Sequence, residues 1–166
     1  DVYRGNGKKD WVFGSFGMDT LNGLGKADTL QGGGDDDSLL GAGGGDSLNG
    51  NAGDDALLGG GGKDLLRGGE GDDLLNGGGK RDTANYSGDA APNGIVVSLG
   101  EGTGTDGYGG TDTYRIVEAV LGSAKGDEIE GDGKANDLNG MEGADTLRGG
   151  GGVDVLSGED GDDTLE

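Results

Sequence analysis

From Gly5 onward the apolar residues keep a nine-residue beat. Val12, Leu21, Leu30, Leu39, Leu48, Leu57, Leu66, Leu75 and Ala84 each stand eighth in a unit that opens with glycine, and these units follow one another without a gap to Asn85. In a unit such as GAGGGDSLN the leucine has a polar neighbour on either side, the two-residue alternation of a strand with one buried face. The last three residues of each unit therefore predict a short strand with one inward side chain. The glycine-rich six before them predict a turn that uses positive φ. Two units close a coil of 18 residues, and coils stacked about 4.8 Å apart give two sheets facing across a thin leucine layer. Self-similarity at a fixed period marks a solenoid. The expected fold is all-β: a right-handed parallel β-roll solenoid of about nine 18-residue coils, with two parallel sheets and a modified central insert.

The beat returns in a second block from Gly122 to Glu166, with Ile129, Leu138, Leu147, Leu156 and Leu165 eighth. The expected organisation is an N-terminal block over 1–85, spacer coils over 86–121 and a C-terminal block over 122–166. The spacer lacks the motif but spans four times nine residues, so the second block resumes in phase. It reads either as about two modified coils with a bulging loop or as a small separate unit. Ile95 to Leu99 and Tyr114 to Leu121 predict strands, and Gly100 to Gly110 a loop. The opening Asp1 to Arg4 fits the tail of a preceding unit, as in a piece of a longer chain.

The composition narrows the chemistry. Glycine supplies 45 residues, acids outnumber bases 33 to 12 for a net charge of −21, and there is neither cysteine nor histidine. Disulfides, Cys/His zinc sites and any histidine-based catalysis are excluded. No run approaches the ~18 apolar residues of a membrane span. Without a basic patch, nucleic acid is not an expected partner. What is left is a disordered chain or a fold that needs a cation.

The sixth position of the units supplies ligands for that cation. It holds Asp10, Asp19, Asp28, Asp37, Asp46, Asp55, Asp64, Asp73 and Asp82 in the first block, and Asp127, Asn136, Asp145, Asp154 and Asp163 in the second. In an 18-residue coil, aspartates two units apart stack on one edge, so Asp19 meets Asp37 and Asp46 meets Asp64. Calcium, a hard cation taking six to eight oxygens from carboxylates and carbonyls, suits such pairs. Roughly 8–10 ions are expected, in two columns, and ten dications would nearly cancel the charge of −21. The column of Asp19, Asp37, Asp55 and Asp73 is expected to bind more strongly. The other carries Lys8, Lys26 and Lys80 at the fourth position, where an ammonium repels a dication and a side chain resists positive φ. Asp10 with Asp28 is expected to be weak, and Asn136 weaker than an aspartate.

Units such as GGEGDDLLN and GEDGDDTLE resemble the calcium-binding nonapeptides of the repeats-in-toxin (RTX) family. DTYRIVEAVLGSAKGDEIEG resembles a spacer that joins such blocks. The resemblance implies a parallel β-roll in a protein exported by type I secretion, unfolded at low calcium and folded outside the cell. It maps calcium turns onto Gly14–Asp19, Gly32–Asp37, Gly41–Asp46, Gly50–Asp55, Gly59–Asp64 and Gly68–Asp73, with carbonyl ligands among Gly14, Phe16, Gly32, Gly34, Gly41, Gly43, Gly50, Ala52, Gly59, Gly61, Gly68 and Glu70. Leu24, the three lysines and Asn136 depart from the pattern.

The leading expectation is a non-catalytic, calcium-dependent folding and stabilising module of a secreted, extracellular multidomain protein. The alternative, which the resemblance to rolls attached to alginate epimerases supports, is an accessory carbohydrate-binding module using Lys63, Arg67, Arg81, Arg115 and Arg148. Adjacent acids such as Asp54 and Asp55 fit metal ligation better than a glycosidase pair, since they do not flank a substrate. Tyr3, Trp11, Phe13 and Phe16 cluster near the start. Tyr3 is expected to fill the core, while Trp11 and Phe13 flank inward Val12 and should point outward, toward an upstream domain, as a terminal cap or as a sugar platform.

Overall fold

A computed structural model describes residues 1–88 and 90–166, and among these there is no helix. Nineteen strands follow in order. The first block holds β1 (Val2–Arg4), β2 (Trp11–Phe16), β3 (Thr20–Asn22), β4 (Thr29–Gly34), β5 (Ser38–Gly43), β6 (Ser47–Ala52), β7 (Ala56–Gly61), β8 (Leu65–Glu70), β9 (Leu74–Gly79) and β10 (Thr83–Asn85). The spacer holds β11 (Val96–Ser98), β12 (Thr103–Thr105), β13 (Thr111–Arg115) and β14 (Ala119–Leu121). The last block holds β15 (Glu128–Glu130), β16 (Asp137–Asn139), β17 (Thr146–Arg148), β18 (Val155–Ser157) and β19 (Thr164–Leu165).

In the two repeat blocks consecutive strands alternate between two sheets, so each pairs in parallel with a strand one coil away. Leu21, Leu39 and Leu57 stand in register in one sheet, and Leu30, Leu48 and Leu66 in the other. These leucines are fully buried between the sheets, and the layer runs on through Ile129, Leu138 and Leu147. The expected solenoid is therefore present. Its strands are longer than three residues in the first block, where β4 to β9 each run through the first three residues of the next unit. The turn backbones are themselves paired: Gly33 stacks on Asn51, and Gly60 on Gly78.

The spacer departs from a simple coil. β13 seats in parallel on β9, and β14 in parallel on β10, which together make one coil. β12 runs antiparallel to both β11 and β13, and β15 then builds on β11. One sheet thus has 11 strands and the other 8. Two expectations are corrected. Tyr114 to Leu121 is not one strand: the chain breaks at Ile116, whose φ is 50°, and crosses from one sheet to the other. Gly100 to Gly110 is not wholly a loop, because β12 supplies the middle of a three-strand meander.

At the amino-terminal end Tyr3 packs partly buried on the core. Trp11 and Phe13 point outward around buried Val12, as strand alternation requires, and Phe16 is 90% exposed.

Candidate metal centre

The aspartate columns form along both edges of the roll. The backbone N–H of Asp19 donates to Oδ1 of Asp37 at 2.7 Å, that of Asp37 to Asp55 at 2.8 Å, and that of Asp55 to Asp73 at 2.9 Å. On the other edge Asp10 donates to Asp28, Asp28 to Asp46, Asp46 to Asp64 and Asp64 to Asp82, all at 2.8 Å. In the last block Asp127 donates to Asp145, Asn136 to Asp154 and Asp145 to Asp163. Residues 18 apart do stack, through one carboxylate oxygen gripping the amide of its neighbour.

The other oxygen is left over. Oδ2 of Asp19, Asp28, Asp37, Asp46, Asp55, Asp64, Asp73, Asp82 and Asp145 is buried with no hydrogen-bond partner. A buried carboxylate oxygen without a donor is costly. Burial pushes Asp46 and Asp82 up to about 6, Asp55 to about 7 and Asp73 to about 8, against the pull of the backbone N–H that each accepts. Each orphan oxygen lies against the glycine opening its own unit. A Cβ on Gly14, Gly32, Gly41, Gly50, Gly59 or Gly68 would come closer than 3.0 Å to the Oδ2 five residues on. At Gly14 the carbonyl of Gly32 crowds the same spot, and at Gly41 that of Gly59 does. Glycine at these positions thus leaves room for the aspartate carboxylate, and at Gly14 and Gly41 a carbonyl oxygen approaches the same point.

Not every expected ligand shares this environment. Asp10 is occupied by its own turn, accepting from Asn6 N at 3.2 Å and Asn6 Nδ2 at 3.0 Å. Asp127 accepts from Ser123 N, Ser123 Oγ and Ile95 N. Asn136 Oδ1 accepts from Asp132 N at 2.8 Å. Asp154 and Asp163 are only half-buried. Among the expected carbonyls, Gly61 and Glu70 accept from the amides of Gly44 and Gly53, each at 2.9 Å. Those of Gly14, Phe16, Gly34, Gly41, Gly43, Gly50, Ala52 and Gly68 lie in the same two turn columns.

The turns bend where φ is positive, at the second and fourth positions: Gly69 and Gly71 in one unit, Asn51 and Gly53 in another. Lys26 and Lys80 are held in this region at 83° and 90°, a conformation costing an L-residue about 1–2 kcal/mol. Outside the buried aspartates of one column runs a second ladder. Asp54 N donates to Asp36 Oδ1 and Asp72 N to Asp54 Oδ1, both at 2.9 Å. The column of Asp37, Asp55 and Asp73 therefore carries two carboxylates per turn. Among the described residues no three Asp, Glu, His or Cys side chains converge on a point. A cation here would draw part of its shell from backbone carbonyls, as a hard cation does.

Sequence reasoning missed part of the columns. GYGGTDTYR, Gly107 to Arg115, is a further unit, three residues out of phase with the rest. Its Asp112 is fully buried and takes the Asp73 amide on Oδ1 at 3.2 Å, while Tyr114 fills the core. The string is visible in the sequence, but a search locked to one phase passes over it. Glu118 extends the other column, accepting from Asp82 N at 3.1 Å. Unlike most of the repeat aspartates, Asp112 has its second oxygen satisfied, by the Tyr86 hydroxyl at 2.6 Å, which also meets Tyr114 at 2.6 Å.

A paired glycine-and-aspartate turn in every half-coil is the mark of a calcium-binding β-roll, and comparison with known families agrees. The model of the RTX calcium-binding nonapeptide repeat matches in four copies, over residues 1–24, 13–48, 49–84 and 122–165. The chain belongs to this family. Repeats of this kind bind several Ca2+ ions per domain, are not catalytic in themselves, and are typical of secreted bacterial proteins. No curated protein matches the chain.

Proposed function

We propose that this roll is a calcium-dependent folding and stabilising module of a secreted multidomain protein, disordered without the ion and ordered with it. The observation that supports this most directly is the row of buried, partnerless Oδ2 oxygens. Asp19 faces the Asp1 ammonium; without a cation the other eight are desolvated charges lacking a counterpart, and together in one narrow solid they oppose folding. Calcium supplies the missing charge to the folded state alone, and whatever binds only that state stabilises it by mass action.

The ions are held by Asp19, Asp37, Asp55 and Asp73 on one edge, by Asp28, Asp46, Asp64 and Asp82 on the other, and by Asp145, Asp154 and Asp163 in the last block, with turn carbonyls completing the shells. Asp10, Asp127 and Asn136 contribute less, because their own turns already use their oxygens. The exposed Trp11, Phe13 and Phe16 face an upstream domain of the parent protein. Of the arginines that the carbohydrate-binding alternative would use, three are already engaged: Arg148 is paired with Glu128 and Glu166, Arg81 with Asp137, and Arg67 donates to the Ser87 carbonyl.

Circular dichroism in chelator and through a calcium titration tests the proposal. Disorder in chelator and cooperative gain of strand at roughly 0.1–1 mM calcium, the range of extracellular modules, are expected. Magnesium, which demands shorter and near-octahedral coordination, is expected to substitute poorly. A full strand signal in chelator that calcium leaves unchanged would overturn it.

A further inference from the structure

The loop between β12 and β13 carries an aspartate that belongs to no repeat and matches no family copy, Asp106. It is 3% exposed. Its Oδ1 accepts three consecutive backbone N–H groups, from Tyr108 at 2.9 Å, Gly109 at 2.5 Å and Gly110 at 2.7 Å. Those bonds fix the carboxylate and wind the turn of the out-of-phase unit around it. Its Oδ2 is buried and has no partner.

The surroundings of that oxygen repeat the pattern of the columns. A Cβ on Gly110 would lie 3.1 Å from Asp106 Oδ2 and would also strike the carbonyl of Gly71. A carboxylate oxygen and a carbonyl from the turn one coil away thus converge over a bare glycine, as Asp19 Oδ2 and Gly32 O do over Gly14. The turn beneath brings Asp72, whose Oδ1 holds the Thr111 amide at 2.7 Å, and Asp73, whose own Oδ2 is open. The unit's own Asp112 cannot play the usual part, since Tyr86 has taken its second oxygen. Asp106 enters from outside the unit in its place.

We propose that Asp106 forms a further calcium site outside the recognised repeats, its Oδ2 and the Gly71 carbonyl extending the column of Asp37, Asp55 and Asp73 by one ion across the junction with the spacer. This rests on the reading that the repeat turns bind calcium. The site ties β9 and its turn to the meander, so the spacer is locked to the first block by the same ion that completes the column.

Native mass spectrometry at saturating calcium, compared between the wild type and Asp106→Asn, counts the ions. The asparagine keeps an oxygen for the three amides and removes the charge. One ion fewer, with circular dichroism unchanged, is the expected result, and an equal count overturns the site. If the wild type takes up no calcium, the repeat reading itself fails, which is a different outcome. Should Asp106→Asn not fold, a wild-type crystal grown in calcium decides: an anomalous difference peak bonded to Asp106 Oδ2 supports the site, and its absence there while peaks stand at the repeat turns overturns it.

Discussion

At the scale of single residues, the two oxygens of each column aspartate do different work. Oδ1 holds the stack by taking an amide one coil away, and Oδ2 is left buried without a partner. Asp55 shows both, gripping Asp37 N through Oδ1 while its Oδ2 has no partner. Asp10 shows neither fully, since its oxygens serve Asn6 at the open end of the roll. Asp55→Ala is expected to cost about 1–3 kcal/mol, the scale of a buried amide left unsatisfied, and to raise the calcium midpoint of folding by that cost shared over the ions taken up. Asp10→Ala is expected to shift it less, costing the few tenths of a kcal/mol usual for a site at an exposed end. Calcium-titrated circular dichroism of both variants measures the difference, and coincident curves would remove the ranking of the sites. The identity of these aspartates was legible from spacing alone. The division of labour between their oxygens was not, because it depends on where the neighbouring amide falls.

At the scale of the strand, each element contributes almost nothing by itself. A nine-residue unit buries one leucine, and its strand pairs with strands a coil away, as in the register of Leu39 with Leu57. Stability therefore accumulates between neighbours, and damage in the middle is felt on two sides. Leu57→Ala, in a fully buried layer flanked above and below, is expected to cost about 2–5 kcal/mol. Leu165→Ala, half-exposed on the last strand, is expected to cost under about 1 kcal/mol. Urea unfolding in saturating calcium checks both, and equal losses would contradict a layered core. The leucine beat made these strands readable, because one inward side chain per nine residues admits few alternatives. The spacer was harder. Its strand at Thr103–Thr105 contains glycine and threonine with no leucine, and it is held by antiparallel neighbours that no period announces.

At the scale of the whole molecule, the governing quantity is charge confined in a thin solid. A chain of −21 is wound so that its aspartates stand in files, and the files are buried. Protons can relieve that confinement as calcium does. Burial raises Asp55 to about 7 and Asp73 to about 8, with Asp46, Asp82 and Asp112 at about 6, all above the ~4 of a carboxylate in an unfolded chain. When the folded value lies above the unfolded one, the folded state binds more protons. The stabilisation from these groups is then complete below about pH 4 and is lost as pH rises through about 6 to 8. In chelator, lowering the pH from about 8 to about 5 is expected to restore strand structure without calcium, as those carboxyls take up protons. On the proposed reading protons and calcium compete for the same Oδ2 oxygens, so the calcium concentration needed for half-maximal binding should rise as pH falls over the same interval. Circular dichroism in chelator, paired with calcium titrations at each pH, reads both effects. If strand content in chelator instead grew toward alkaline pH, the buried carboxylates would not be what keeps the metal-free chain open.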